Sequence, residues 1–194
     1  NYDFDYKYLL GFTFRYDGTS RLGNNKYGFF PGVSAGWNVH NEDFFQRSKV
    51  NSVVSKLKPR VSYGVNGNID ILSNFGVFGS YGQTAVYDTQ TGYANNGLPL
   101  LDLRWERSTT LNMGLDVGLF DNRVSLISDF FIRDVQDKLA GLTLPLWTGF
   151  SSIQTNNGTL QNRGIELEVD ANVVKTSDIN WNLGLTYYRV RNFA

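Results

Sequence analysis

The chain has 194 residues, of which 18 are basic and 18 acidic, and it contains no cysteine. Neutrality argues against a nucleic-acid partner, which needs a basic surface, and without cysteine there is neither a disulfide framework nor a thiolate metal site. No run of about eighteen apolar residues is present, so no transmembrane helix is expected; the mean hydropathy of −0.29 still fits a membrane barrel, whose strands average apolar with polar residues.

The first predicted element carries Phe4, Tyr6, Tyr8, Leu10, Phe12, Phe14 and Tyr16 on one face, alternating with Asp3, Asp5, Lys7 and Arg15 among the residues of the other. A period of two makes this a β-strand, and at about 3.3 Å per residue it is roughly 40 Å long, more than a soluble strand needs and enough to cross a bilayer at a tilt. The same alternation recurs through Val33, Ala35, Trp37 and Val39, then through Leu57, Pro59, Val61, Tyr63 and Val65. It returns in Thr109, Leu111, Met113, Leu115, Val117 and Leu119, and in Val124, Leu126, Phe130 and Ile132. Ile165, Leu167, Val169, Ala171 and Val173 form the next strand, and Ile179, Trp181, Leu183, Leu185 and Tyr187 the last, which gives about seven long strands.

Residues 120–123 and 175–178 have tight-turn chemistry. Residues 17–26, 66–104 and 134–160, at the other ends of the strands, are long and rich in Gly, Asn and Thr. Residues 41–56 interrupt the alternation on the short-turn side and suit a helical turn. Short turns at one end and long loops at the other is the pattern of outer-membrane barrels. Strand length and loop asymmetry favour that reading over a soluble carbohydrate-binding β-sandwich, although periodicity alone fits both.

Several segments then carry a family pattern. Arg15-Tyr16-Asp17-Gly18-Thr19-Ser20-Arg21-Leu22-Gly23 is followed by Tyr27-Gly28-Phe29-Phe30-Pro31 and Gly36-Trp37. Leu57-Lys58-Pro59-Arg60-Val61-Ser62-Tyr63-Gly64 ends in Gly67-Asn68, and Leu103-Arg104-Trp105-Glu106 precedes Asn112-Met113-Gly114-Leu115-Asp116. Gly149-Phe150, Asn156-Asn157-Gly158 and Asn162-Arg163-Gly164-Ile165-Glu166-Leu167 close the series. In this order, across nearly the whole chain, these segments resemble the TonB-dependent outer-membrane transporters of the SusC/RagA family. Leu22 replaces the usual Phe and Pro59 the usual Leu; Pro59 is expected at a strand start or a bulge. The motif residues carried over are Arg15, Asp17, Gly18, Ser20, Arg21, Gly23, Trp37, Arg60, Tyr63, Gly64, Trp105, Glu106, Asn162, Gly164 and Glu166.

The resemblance implies an all-β fold: antiparallel strands forming part of a transmembrane barrel of about twenty-two strands. Residues 1–194 then form one partial barrel domain from its second half, without the plug and the TonB box. It further implies import of a glycan or peptide delivered by a SusD-like surface lipoprotein, driven through TonB by way of the N-terminal part, with outer-membrane lipid around the wall and no enzymatic activity. Another receptor barrel, such as a siderophore receptor, is the alternative within the membrane class.

Other features have plain readings. Glu166, Glu168 and Asp170 share one strand face about 7 Å apart; a glycosidase pair would need a closed cleft, so a lumen ladder paired with neighbouring Arg or Lys is expected. His40, the single histidine, is expected to be solvated near a strand end. Gly76, Gly79 and Gly82 lack the phosphate-loop spacing and read as a flexible loop. Trp37 and Trp181 suit interfacial belts. Trp147, Tyr81, Tyr87 and Tyr93 lie in long loops, where they either pack the loop or meet substrate or lid. No cofactor and no metal site is expected.

Overall fold

The computed structural model describes the backbone of residues 1–194 and every side chain except those of Thr84, Ala85, Tyr87 and Lys175. It is one antiparallel sheet with a small hairpin above it. The sheet contains β1 (Tyr2–Phe4), β2 (Tyr8–Gly18), β3 (Tyr27–Trp37) and β4 (Val54–Asn68). The hairpin is β5 (Ser80–Tyr87) with β6 (Gln90–Gly97). The sheet continues with β7 (Glu106–Leu119), β8 (Val124–Thr143), β9 (Ser152–Lys175) and β10 (Asn180–Phe193). Its spatial order is β1-β2-β3-β4-β7-β8-β9-β10, so neighbours in space are neighbours in sequence apart from the inserted hairpin, and the sheet does not close on itself.

The long opening run is not one strand. Phe4 pairs with Tyr8 across a hairpin, and Asp5 and Tyr6 at its tip have φ of 53° and 51°. Asp3 Oδ1 accepts the Tyr6 amide at 2.9 Å, and Phe4 O accepts the Lys7 amide at 3.0 Å. A three-residue loop sets residues i and i+4 opposite each other on one face. The period of two therefore runs through the turn unbroken, which is why alternation alone did not reveal it.

The later strands are longer than their alternating segments. β8 and β9 run together past residues 134–160, with register shifts between Val135 and Ala140, so that most of this expected loop is strand. Residues 38–53 form a one-turn helix α1 (Asp43–Gln46) between two 3-10 turns, the helical turn that broken alternation suggested.

Pro59 lies neither at the strand start nor in the bulge, which falls at Val54–Lys56. The β3–β4 ladder is short, from Gly32–Gly64 to Gly36–Arg60. Pro31 lies just beyond one end of it and Pro59 just beyond the other, so neither proline interrupts a ladder bond between these strands.

The pairings align the strand faces. Leu10, Ala35, Val61, Met113, Phe130 and Ile165 fall on one row, and the rows two residues away continue the same apolar face. No second sheet covers this face among the described residues. Phe12 is 67% and Phe14 80% exposed, whereas a sandwich would bury them. The apolar face is also oblique to the strands. Its upper end is Tyr16 on β2 and Tyr187 on β10. The row one pleat above Tyr187 runs from Arg189 through Ile165, Phe130, Met113, Val61 and Ala35 to Leu10, so Tyr187 stands level with Tyr8, eight residues below Tyr16. A drift of about 26 Å along the strand over about 29 Å across the sheet is an inclination of about 40°, which matches the tilt of strands in membrane barrels.

Where β3 and β4 part, Phe30 fills the gap. Its ring meets Trp105 edge-on at 5.4 Å, and the Arg15 guanidinium lies 5.5 Å from its centroid. Gly67 permits this, because a Cβ there would lie 2.6 Å from Phe30 Cε1. In the full-length parent protein, Gly67→Val is expected to destabilise the wall by about 1–3 kcal/mol through overpacking. Denaturant unfolding in detergent, followed by the mobility shift of the folded barrel on unheated gels, measures this; an unchanged midpoint would refute the packing role of Gly67.

Candidate functional site

Three regions carry the polar and aromatic chemistry: a charged row on the polar face, a tied set of long loops, and a cluster at the short-turn end.

On the polar face Arg60 of β4 reaches across β7 to β8. Its Nε donates to Asp116 Oδ1 at 3.0 Å and its Nη2 to Asp129 Oδ2 at 2.5 Å. Between Arg60 and Asp129 in the row stands Gly114. A Cβ there would lie 2.5 Å from Arg60 Cζ, so glycine lets the guanidinium lie flat across the strand. Lys56 Nζ adds a weaker contact with Asp116 at 3.9 Å. The Asn-Met-Gly-Leu-Asp segment thus supplies the passage and one anchor for the arginine. Asn112 Oδ1 and Asp129 Oδ1 are buried without a hydrogen-bond partner among the described residues.

Next to this row lies a polar recess lined by Thr110, Asn112, Arg133, Asn162, Glu166 and Tyr188, among others. Asn162 is registered between Arg133 and Asn192. Gly164 leaves room for the Phe131 ring, and Gly64 opens on empty space. Among the described residues the carboxylate ladder is not paired with basic residues as expected. Glu166 stands between Asp129 and Tyr188, Glu168 between Ile127 and Thr186, and Asp170 between Ser125 and Gly184. All three carboxylates are exposed, so water takes the place of a counter-ion; Arg60 already neutralises Asp129.

The long loops are joined by a small dry core of Leu22, Leu72, Val77, Leu103 and Leu139, with Ile69, Leu100 and Trp105 packed against it. Glu106, only 6% exposed, sits beneath it. Its carboxylate accepts the Leu139 amide at 2.8 Å and the Asn68 side-chain amide at 2.8 Å, with Lys138 Nζ at 3.9 Å. Asn156 clasps the backbone of Arg104: Oδ1 accepts its amide at 2.8 Å, and Nδ2 donates to its carbonyl at 2.9 Å and to Asp137 O at 2.7 Å. From the β2–β3 loop, Arg21 Nε donates to Asn74 Oδ1 at 3.1 Å, and Asn24 and Asn25 donate to Asp102. Trp105 Nε1 donates to Lys26 O at 3.2 Å.

The motif residues therefore do different jobs. Arg21, Gly23, Trp105 and Glu106 hold the loops, Gly23 by lying against the Leu101 backbone. Arg15 pairs with Asp17 at 2.6 Å on the strand below. Gly18 lets the Tyr27 ring fold over it and stack on Tyr16 at 5.5 Å. Ser20 is exposed, and Tyr63 lies on the apolar face. That Leu22, Leu72, Val77, Leu103 and Leu139 pack together is not legible in the sequence, because loop residues have no periodicity. Asn24 and Asn25 read as ordinary loop asparagines, and Asn156 only as part of a motif. Gly76 opens a 3-10 turn that fixes the buried Val77, so this segment is anchored.

Beyond the core, Trp147 is 86% exposed at the β8–β9 tip, and Tyr81 and Tyr93 on the β5–β6 hairpin are 77% and 70% exposed. Gln83 Nε2 donates to the Tyr93 hydroxyl at 2.8 Å. The Tyr87 side chain lies outside the described residues.

At the opposite end Glu42 accepts from Tyr8 Oη at 2.7 Å and from Trp37 Nε1 at 3.1 Å, with Lys7 Nζ at 3.6 Å. Trp37 stacks on Tyr8 at 6.2 Å. His40 is docked, not free in solvent: its Nδ1 lies 3.2 Å from Leu57 O. The Tyr8 hydrogen bond, then that of Trp37, holds the Glu42 carboxyl below its ordinary range.

The family model described as "TonB dependent receptor-like, beta-barrel" matches residues 1–193. Among curated relatives, TonB-dependent receptor P3 of Formosa agariphila is 35% identical over 99% of this chain and 19% of its own length. TonB-dependent receptor SusC of Bacteroides thetaiotaomicron is 34% identical over 94% of this chain and 19% of its own. Among solved structures, the RagAB peptide transporter superposes with a TM-score of 0.87 at 29% identity, over 97% of this chain and 20% of that one. The chain thus spans about a fifth of the length of these relatives.

Two outcomes follow for the parent protein. Glu106→Ala leaves the Leu139 amide buried without its acceptor, at about 1–3 kcal/mol. Limited proteolysis is then expected to cut residues 69–105 several-fold faster, and an unchanged rate would refute the anchoring role. Glu42 has a depressed folded pKa, so its stabilisation is complete above the ordinary carboxylate range and is lost as pH falls through the folded value. The protection of residues 38–46 against hydrogen exchange, taken relative to the intrinsic amide rate at each pH, should fall in acid, and Glu42→Gln should abolish that dependence.

Proposed function

We propose that this chain, which belongs to the TonB-dependent receptor-like β-barrel family, forms an arc in the second half of the wall of a SusC/RagA-type importer in the bacterial outer membrane. Such barrels are outer-membrane proteins, and the antiparallel sheet is one open part of such a barrel. In this reading the apolar band meets lipid, the polar face lines the lumen, the short turns are periplasmic, and the tied loops are extracellular. The observation that carries it is the exposed apolar band, inclined by about 40° from the perpendicular to the strands. A soluble module has no use for such a surface.

The cargo proposed is a glycan or a peptide, handed over by a SusD-like surface lipoprotein and drawn through the lumen by TonB acting on a plug. Support comes from the SusC relative and from the structural neighbour described as a peptide transporter. The lumen chemistry agrees. The exposed Glu166, Glu168 and Asp170 offer hydrogen bonds to hydroxyl- or amide-rich groups. Trp147, Tyr81 and Tyr93 are placed on the loops to stack on cargo or pack against the lid. Tyr87 belongs to the same proposed set.

The parent protein is expected to need detergent or lipid to stay monodisperse and to keep the compact mobility of a folded barrel on unheated gels. A monomer that stays soluble and folds cooperatively without detergent would overturn the membrane reading. Trp147→Ala is expected to weaken binding of cargo or lid about tenfold with the wall intact, since aromatic stacking contributes about 1–1.5 kcal/mol. Unchanged binding would assign Trp147 to loop packing.

A further inference from the structure

We propose that the outward face of β9 and β10, just above the apolar band, is a binding site for the phosphate groups of an anionic lipid in the outer leaflet. The inference rests on the membrane reading above.

The register supplies the site. Arg191 of β10 pairs directly with Arg163 of β9, and Arg163 with Ile132 of β8. Arg189 is one pleat lower, opposite Ile165. Ile132 and Ile165 belong to the apolar face, so all three arginines project from the lipid-facing side. All three are exposed. On β7, Arg107 marks the same upper edge of the apolar band and is exposed as well. Because the band descends toward β10, the positions that carry apolar residues on β2 carry arginines on β10: Leu10 shares a row with Arg189, and Phe12 shares one with Arg163 and Arg191.

Like charges directly opposite each other on a sheet face repel. Arg163 and Arg191 stand in that relation, and neither has a carboxylate partner among the described residues. Arg163 instead lies over the Phe193 ring at 5.5 Å. The carboxylate on the next row, Asp134, accepts the Gln161 side-chain amide at 2.5 Å and forms no ion pair with these arginines. A basic cluster that has no carboxylate partner among the described residues and continues the lipid-facing surface at its upper edge fits an anion held at headgroup height. Three arginines whose backbone positions lie about 5–8 Å apart can bring their guanidiniums to share one phosphate or grip two. The occupant is lipid because the apolar rows directly beneath the arginines take acyl chains, which a free anion lacks.

The test uses the full-length protein in detergent, with diphosphoryl lipid A as the probe and its dephosphorylated form and inorganic phosphate as controls. The parent is expected to bind the diphosphoryl lipid, more weakly as salt rises, and to bind the dephosphorylated lipid poorly. The triple variant R163Q/R189Q/R191Q is expected to bind about a hundredfold more weakly, at about fivefold per removed charge near an anionic surface. The corresponding triple lysine variant should stay within tenfold of the parent. Should the glutamine triple fail to fold, R191Q alone is expected to lose about fivefold. Unchanged binding by a folded glutamine variant, equal binding of the dephosphorylated lipid, or displacement by millimolar phosphate would each overturn the proposal. A parent that still requires detergent while failing these tests loses only this inference; a parent that needs no detergent loses the membrane reading as well.

Discussion

In a hydrocarbon medium each backbone amide and carbonyl must find its partner within the protein, and this constraint orders the rest of the molecule. It demands an unbroken ladder from β2 to β10, and an unbroken ladder fixes the parity of every residue. Once Leu10, Ala35, Val61, Met113, Phe130 and Ile165 share a row, every second residue on each strand is committed to the same side. The two prolines illustrate the pressure. Pro31 and Pro59 would each break a ladder in the middle of a strand, and both fall where the β3–β4 pairing has ended. The resulting gap is closed by an aromatic side chain, since Phe30 fits against glycine at position 67 and the edge of Trp105.

The polar face obeys a second rule. Charges facing a wet but confined surface are best neutralised locally, and Arg60 does this across two strand spacings at once. Such a reach is possible only if the intervening strand presents no side chain, and Gly114 meets that condition. Farther toward β10 the carboxylates of Glu166, Glu168 and Asp170 have no such partner and remain solvated. The wall thus changes from neutralised to acidic along its width, whereas its outward face, at the height of Leu10 and Phe12, changes from apolar on β2 to basic on β10.

How much of this was legible in the sequence depended on periodicity. The strands, their faces and the two kinds of connection could be read because alternation reports side-chain direction directly. The Phe4–Tyr8 hairpin was hidden by the same rule, since an odd-numbered loop preserves parity. The extension of β8 and β9 through residues 134–160 was hidden because its residues alternate poorly and its register shifts near Asp137. For the site, the motifs marked the right positions without revealing their roles. Glu106 and Asn156 stood out only as parts of motifs, yet Glu106 is buried and holds the β8 backbone, and Asn156 clasps Arg104. Contacts between residues 33 and 52 positions apart leave no periodic trace.

The dry core of this structure lies in the loops and not in the wall. The strands expose apolar residues on one face and polar residues on the other, so the ladder and the surrounding solvent, lipid or water, hold them. The loops have no such support, and Leu22, Leu72, Val77, Leu103 and Leu139 give them a core of their own. Two different physical bases of stability therefore meet at Glu106, which is the first residue of β7 and also hydrogen-bonds the buried Leu139. A loop system with its own core can change its outer residues, such as Tyr81, Tyr93 and Trp147, without disturbing the ladder below. The wall in turn can be repacked for its membrane without altering what the loops present, provided that the one carboxylate joining them is kept.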